Sequence, residues 1–227
     1  MCPDVIIKKK GFTLIEVLVA VMVLSILMLM LFASFQSFLA SSERLDGKER
    51  ADRVATPALE QLEKDLEALF VLPEPRFMPE GPDDMPDPSR LIGKETTVNG
   101  QMFSRLGFAS LNHVFFGPDK RNGVARMVYY IRTDEGGRFL LCRSDRLGET
   151  GDDTRPCTDP VLMTNVTVFD CRFVDGEGNE HQYWDSGSDE FEYDLPRYIR
   201  VRIGFLEGEE ERLVETSVAV PVSRRRV

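Results

Sequence analysis

The longest apolar stretch of the chain, residues 17–35, limits most strongly which structures its N-terminal part can form. It reads VLVAVMVLSILMLMLFASF and carries no charged residue. Extended back to Phe12, the stretch contains a single charge, that of Glu16. Because an α-helix rises about 1.5 Å per residue, some 20 apolar residues cross the roughly 30 Å hydrocarbon core of a bilayer. The sequence therefore predicts one membrane-spanning helix over residues 12–38.

Three lysines, Lys8, Lys9 and Lys10, stand directly before this stretch. A basic cluster on one flank keeps that flank cytoplasmic, so the rest of the chain is expected on the other side of the membrane. The apolar run exceeds the core of about 7–15 residues in an ordinary signal peptide, and no A-x-A-like cleavage site ends it. Two alternatives stay open: a plain single-pass anchor, and conventional cleavage beside the small residues Ser34, Ala40, Ser41 or Ser42.

Glu16 is unusual for a plain membrane anchor. A carboxylate near the start of an apolar helix is unfavourable in lipid and normally has a partner. The simplest alternative is that Glu16 lies among the lipid headgroups, or interacts with the positive N-terminal end of its own helix. The residue is thus a candidate for contact with another chain.

Residues 8–17, KKKGFTLIEV, resemble the class III leader of type IV pilins and type II secretion pseudopilins. The shared pattern is a basic leader that ends in Gly, then Phe-Thr-Leu-(Ile or Leu)-Glu, then an apolar helix. The resemblance implies that residues 1–11 are a leader, that a prepilin peptidase cleaves after Gly11, and that the same enzyme N-methylates Phe12. It also implies that Glu16, as fifth mature residue, pairs with the N-terminal amine of a neighbouring subunit and fixes the axial register between helices.

The helical pattern continues beyond the apolar stretch. Apolar residues recur at spacings of three to five from Val54 to Phe70, which suits an amphipathic helix. Gly47 and Pro57 interrupt the pattern. We expect one long kinked helix over about residues 12–71, whose periplasmic continuation is residues 39–72. A separate helix that begins at Thr56 and Pro57 is the alternative.

The remainder of the chain is predicted to be loop and then sheet. Residues 73–100 begin with a proline-rich segment and are expected to form a loop region. Residues 101–227 are predicted to form an antiparallel β domain, because short apolar or alternating runs are separated by turn signals. The fold class expected is α+β and pilin-like, with a long, partly transmembrane N-terminal helix packed on an antiparallel sheet. The runs predicted as strands cover residues 102–108, 113–116, 123–131, 139–143, 161–174, 181–184, 198–205 and 213–222.

Several stretches of this region are similar to the minor pseudopilin J (GspJ) family of type II secretion. They are LEKDL at 62–66, FVDG at 173–176, YWDS at 183–186 and LPRYIRV at 195–201. Residues 73–100 and 224–226 have no counterpart in the family pattern. The resemblance implies a structural subunit at the tip of a pseudopilus, anchored once in the inner membrane with its globular domain in the periplasm. It also implies partners: prepilin peptidase, other minor and major pseudopilins, and functionally the assembly ATPase, the inner-membrane platform and the outer-membrane secretin.

The composition of the chain argues against several classes of function. A net charge of −10 at pH 7 repels phosphate and argues against nucleic-acid binding. The two histidines, His113 and His181, have no Cys or His at ligand spacing, and common nucleotide, hydrolase and protease motifs are absent from the sequence. We therefore expect no enzyme activity, no cofactor and no metal site. Two other classes stay open: a minor pilin of a type IV pilus that serves adhesion, motility or DNA uptake, and a membrane-anchored periplasmic enzyme.

The cysteines allow one disulfide. Cys2 would leave with the leader, and Cys171 alternates with apolar residues, which is typical of a buried thiol. Cys142 and Cys157 flank a loop rich in Gly and Asp, and we predict a bond between them in an oxidising compartment.

Three smaller features have both a plain and a functional interpretation. Trp184 is interpreted as a core aromatic, with a binding platform as the alternative. Residues 224–226 are interpreted as a solvated tail, with a contact to an acidic neighbour as the alternative. Weak calcium candidates are the acidic residues Glu80, Asp83, Asp84, Glu149, Asp152 and Asp153.

Overall fold

The computed structural model describes residues 14–73, 78, 81, 87–113, 123–148, 154 and 158–224, without the side chains of residues 37–54. The chain divides into two units, Met1–Glu49 and Arg50–Val227. One helix, α1, runs from Leu14 to Glu67. The prediction of one long helix is therefore confirmed over Leu14–Glu67, short of the predicted end near residue 71, and the alternative of two separate helices is wrong. The predicted kink stays a prediction.

The C-terminal part of α1 continues through Pro57, although proline removes one helical hydrogen bond. Burial offsets this cost, because Ala58, Leu62 and Leu66 are at most 2% exposed. Lys64 lies on the opposite, exposed side, where its Nζ is 3.6 Å from Oε2 of Glu60. Tertiary packing thus outweighs local propensity here.

In the part of the chain that the structure describes, ten strands form two antiparallel sheets. Sheet A has the order β5-β4-β3-β2-β1-β8, and sheet B has the order β10-β9-β6-β7. A short 3₁₀ helix, Asp189–Phe191, follows β8. The strands are β1 (Ile92–Val98), β2 (Gln101–Ser110), β3 (Ala125–Thr133), β4 (Phe139–Leu147), β5 (Val161–Thr164), β6 (Val166–Val174), β7 (Glu180–His181), β8 (Trp184–Asp185), β9 (Tyr198–Glu207) and β10 (Glu210–Ala219).

One apolar core joins the C-terminal part of α1 to both sheets. Leu62 of α1, Phe108 and Met127 of sheet A, and Phe169 and Ile203 of sheet B are all buried in it. The α+β class with a long N-terminal helix is therefore confirmed.

A second, smaller apolar cluster lies on the other face of β3 and β4. It consists of Val128, Tyr130, Leu140 and Cys142. Tyr130 pairs with Cys142 in the sheet register, so these two side chains stand on the same face. Both faces of these two strands are consequently buried.

Strand β1 corrects the prediction that residues 73–100 form a loop throughout. Asn99 and Gly100 join β1 to β2, and both have positive φ angles, 48° and 84°. Positive φ at both central residues is the geometry of a type I′ turn, for which Asn-Gly is a strong signal. The prolines further upstream favour a loop, and the prediction extended that loop over the hairpin as well.

Three further predicted runs differ from the structure. The run 181–184 is divided between β7 in sheet B and β8 in sheet A. The run 161–174 is divided into β5 and β6 at Asn165, whose φ is 57°. His113 lies outside the strands, and residues 114–116 of the run 113–116 are outside the described residues.

A methyl group added at Gly93 of β1 is expected to destabilise the fold. A Cβ at this position would lie 1.9 Å from Cζ of Phe173, whose side chain is 1% exposed and has little room to move. Overpacking of this kind costs about 1–3 kcal/mol, so Gly93→Ala should lower the free energy of unfolding by that amount. Urea denaturation of the full chain in detergent measures the change. Gly176→Ala is the control, because nothing lies within 4 Å of a Cβ there.

Candidate functional site

The first part of α1, Leu14–Gln36, is an apolar helix of 23 residues that contains an 18-residue stretch with a mean hydropathy of 2.9. It contains neither Gly nor Pro, and its length of roughly 35 Å is enough to cross a bilayer. Every side chain in it is exposed in the isolated chain; Leu14, for example, is 87% exposed and Phe32 64%. An apolar surface of this extent needs lipid or other apolar chains to cover it.

Two polar side chains in this segment have different surroundings. The hydroxyl of Ser25 donates a 2.8 Å hydrogen bond to the carbonyl of Val21, so the helix itself satisfies this group. Glu16 lies exposed in the first helical turn and is the one ionisable residue of Leu14–Gln36. The helix end favours its negative charge, and the carboxylate remains available to a cation from another chain. The predicted processing residues Gly11 and Phe12 are outside the described residues, as are Lys8, Lys9 and Lys10.

The C-terminal part of α1 is held on sheet A by Asp65, whose side chain is fully buried. Its Oδ2 accepts hydrogen bonds from Nε of Arg143 at 2.6 Å and from the hydroxyl of Tyr129 at 2.7 Å. Its Oδ1 accepts from the side-chain amides of Asn112 at 2.7 Å and Gln61 at 2.9 Å, and from Nη2 of Arg143 at 3.1 Å. The carboxylate thus joins the helix to two strands and to the loop after β2.

The electrostatics of this network keep Arg143 charged. Burial lowers the pKa of Arg143, but the hydrogen bonds and the charge of Asp65 outweigh burial and raise that pKa above its usual range. Nη1 of Arg143 also donates to Oδ2 of Asp145 at 2.8 Å, and the other oxygen of Asp145 is 2.5 Å from Nδ1 of His113. Burial, followed by the charge of Asp65, raises the pKa of Tyr129, which stays neutral. The sequence analysis predicted no role for Asp65, Arg143 or Tyr129 in such a network.

The second histidine lies in an aromatic cluster. His181 contacts Trp184 and Phe191 edge-on, and its Nε2 is 3.0 Å from Oδ2 of Asp175. Within the described residues, no group of three or more His, Cys, Asp and Glu side chains is placed to hold a metal. The six weak calcium candidates, Glu80, Asp83, Asp84, Glu149, Asp152 and Asp153, are outside the described residues.

The interpretation of Trp184 as a core aromatic is confirmed. It is 3% exposed, its ring stacks on Phe191 at 4.3 Å, and its Nε1 donates to the carbonyl of Asp194 at 3.1 Å. The side chain of Trp184 therefore extends from β8 into the domain interior.

Cys142 and Cys171 are both buried, and they form no disulfide with each other. Burial raises the pKa of Cys171, which confirms the prediction of a buried thiol in β6. Cys142 lies in the second apolar cluster, whereas Cys157 is outside the described residues. The bond between Cys142 and Cys157 stays a prediction.

The interpretation of residues 224–226 as a solvated tail is wrong for Arg224. Its side chain is buried, with Nη2 donating to Oδ2 of Asp87 and Nη1 donating to the carbonyl of Ser186 at 2.7 Å. Local sequence could not reveal this contact, because Asp87 is 137 residues away. Arg225 and Arg226 are outside the described residues.

Asp175 makes the stability of the β6–β7 turn depend on pH in the acid range. The pKa of Asp175 is held well below its usual range, first by the hydrogen bond with His181 and then by Asn179. A depressed carboxyl pKa contributes stability above the unfolded-state pKa, and this stability is lost as pH falls through the folded-state value. NMR titration should show that the carboxyl group of Asp175 stays ionised at pH values below the usual pKa range of aspartate. Asp175→Asn should be less stable than the unchanged chain at neutral pH, and the difference should shrink towards strongly acid pH; a difference independent of pH would contradict this.

Residues 7–32 match the family model of the prokaryotic N-terminal methylation motif. A search of curated proteins found no match to the chain. The matched segment contains the basic cluster, Gly11, Phe12 and Glu16 together with much of the apolar helix. The motif implies processing by a prepilin peptidase and assembly with other pilin-like subunits. Together, the motif, the membrane-length helix and the α+β fold indicate a type IV pilin-like protein.

Proposed function

We propose that this chain is a minor pseudopilin, a structural subunit at the tip of a type II secretion pseudopilus that takes part in protein export across the outer membrane. The observation that carries the proposal is an exposed apolar helix with one carboxylate, Glu16, inside a match to the methylation motif. In a plain membrane anchor this carboxylate would only add an unfavourable charge to the apolar helix. In an assembling helix it can pair with a cation of a neighbouring subunit.

In this proposal the helix has two successive environments. Before assembly it crosses the inner membrane once, with the β domain in the periplasm. Prepilin peptidase then cleaves after Gly11 and methylates the amine of Phe12. In the filament, Glu16 pairs with the N-terminal amine of a neighbouring subunit. Because an unpaired carboxylate among apolar helices is costly, only the register that brings the two charges together is stable.

The likeness to J-type subunits rests on residues that hold the β domain together. Asp65, in the LEKDL stretch, ties α1 to sheet A. Asp175, in the FVDG stretch, accepts hydrogen bonds from the backbone of Glu177 and Asn179 and closes a turn. Ser186, in the YWDS stretch, accepts a hydrogen bond from the backbone of Leu91 at 2.9 Å. Shared residues with such roles support a shared domain architecture, and with it a place at the tip.

The activity proposed is assembly rather than catalysis. The partners are prepilin peptidase, the other minor and major pseudopilins, and functionally the assembly ATPase, the inner-membrane platform and the secretin. A minor pilin of a type IV pilus is the alternative, because the N-terminal motif serves both systems.

Deletion in the native host, with complementation by the full chain, tests the choice. Loss of protein export with normal surface pili is expected, together with co-purification of the other pseudopilins. Loss of pili with normal export would favour the type IV minor pilin instead. Normal export and normal pili together would contradict both assignments.

A further inference from the structure

Strand β10 forms an open edge of sheet B, the β10 edge (Glu210–Ala219). Among the strands that the structure describes, β10 pairs with β9 alone, over ten consecutive residue pairs without a bulge. The other edges are shorter: β5 has four residues, β7 and β8 have two each, and β8 leaves residues 94–98 of β1 uncovered. Proteins usually shorten, cover or bend such an edge, because its unpaired backbone groups are a template for another strand. A long and regular edge is therefore a candidate interaction surface.

The hydrogen-bond pattern of the β9–β10 ladder shows which backbone groups face outward. The N–H of Val220 donates to the carbonyl of Arg197 at 3.1 Å, and hydrogen-bonded pairs alternate with non-hydrogen-bonded pairs in an antiparallel ladder. The backbone groups of the even-numbered residues of β10 consequently face β9. Those of the odd-numbered residues face away from β9, and no backbone group of a described residue bonds to them. These residues are Glu211, Leu213, Glu215, Ser217 and Ala219.

The odd-numbered residues also place their side chains on the outer face of sheet B. Val214 and Val218 pack against the apolar core, so the residues next to them in the strand point to the opposite face. Leu213 is 53% exposed there, and its diagonal neighbour on β9, Leu206, is 43% exposed. A strand added to the β10 edge would thus meet apolar surface beside its backbone hydrogen bonds.

The charge along this edge is negative. Residues 207–215 contain five glutamates and one arginine. Glu211 is exposed and makes no ion pair with the described residues. The side chain of Glu215 is 49% exposed and lies beside two arginines of β9, which also pair with Asp170 and Glu180. Positive charge on an added strand would therefore complement the edge.

We propose that the β10 edge binds an extended segment of a partner protein by strand addition, and that this segment carries basic residues on both sides of an apolar residue. Backbone hydrogen bonds to the outward groups of β10 would hold the segment. Its apolar side chain would pack beside Leu213, and its basic side chains would stand opposite Glu211 and Glu215.

A second copy of this chain suits the edge poorly. Antiparallel pairing of two β10 edges about Leu213 would place Glu211 of each copy opposite Glu215 of the other, and like charges directly opposite are unfavourable. The inference uses only the β domain and does not depend on the proposed place in a pseudopilus.

NMR titration of the isotope-labelled full chain in detergent micelles tests the proposal. The probe is the heptapeptide acetyl-Thr-Lys-Thr-Val-Thr-Lys-Thr-amide, and acetyl-Thr-Glu-Thr-Val-Thr-Glu-Thr-amide is the same peptide with its charge reversed. Binding of the lysine peptide is expected to shift the backbone amide signals of Glu211, Leu213 and Glu215. The glutamate peptide should bind about fivefold more weakly or less.

Three changes separate strand addition from a general attraction of charge. Methylation of the backbone nitrogen of the central valine removes the N–H that would face β10, so it should abolish binding of the lysine peptide. Glu211→Lys should weaken binding of that peptide by about fivefold or more. Glu63→Lys makes the same change of charge at an exposed position of α1 and should bind as the unchanged chain does.

Failure of the lysine peptide to bind would overturn the proposal. Equal binding by the glutamate peptide or by the N-methylated peptide would overturn it as well. The same holds for an unchanged affinity in Glu211→Lys, or for a loss of equal size in Glu63→Lys. Shifts of the β10 signals that depend on protein concentration, without peptide, would assign the edge to a second copy instead.

Discussion

Replacing Asp65 with alanine is expected to lower the free energy of unfolding by about 3–5 kcal/mol, the usual cost of removing one partner of a buried ion pair. The variant leaves the guanidinium of Arg143 charged at 2% exposure, and it deprives Tyr129 and Asn112 of their acceptor. Equilibrium unfolding in urea measures the change in the full chain in detergent. The chain has one tryptophan, the buried Trp184, and its fluorescence reports directly on the β domain.

Two variants separate this effect from a general loss of charge. Glu63→Ala removes an exposed carboxylate from the same helix and should change stability by less than about 0.5 kcal/mol. The double variant Asp65→Leu with Arg143→Met removes both charges of this pair while Asp145 keeps its contact with His113, and it should recover part of the loss. A cost below about 1 kcal/mol for Asp65→Ala would show that the network does not hold α1 on the sheet.

Replacing Glu16 with valine is expected to leave membrane insertion intact and to reduce incorporation into filaments by about tenfold or more. Valine makes the helix more apolar, so insertion has no reason to fail. If the proposed pairing exists, the N-terminal amine of the neighbouring subunit loses its partner in this variant, and a loss of about 1.4 kcal/mol already corresponds to tenfold. Quantitative immunoblots of the membrane and sheared-filament fractions measure both steps.

Ser25→Val is the matched control for this experiment. It removes a polar group from the same apolar helix, but one whose hydrogen bond is made within the helix. It should be incorporated at the normal level. Normal incorporation of Glu16→Val would be incompatible with pairing between its carboxylate and a neighbouring amine.

The elements that could be predicted from the sequence are those with a local hydrophobic pattern. The apolar helix is recognisable from composition alone, and the buried face of α1 from the spacing of Leu59, Leu62 and Leu66. The alternation of Phe169, Cys171 and Phe173 likewise gave β6 and its buried face. In the last two cases, burial repeats along the chain with the period of the element.

Pairings between distant polar residues could not be predicted in the same way. Asp65 and Arg143 are 78 residues apart, and no local pattern connects them. One signal was available: Asp65 falls on the apolar face of α1, between Leu62 and Leu66, where a charge needs a partner. The Asn99-Gly100 pair is also a sequence signal for a hairpin, but the prolines before it favour a loop.

The N-terminus of the processed chain tests the central claim most directly. Co-expression of the full chain with its prepilin peptidase, followed by intact and peptide mass spectrometry of the membrane form, determines where the chain begins. A start at Phe12 that carries one added methyl group is the predicted result. An uncut start at Met1, or cleavage beyond Ala40, would contradict assembly through a processed pilin-like helix.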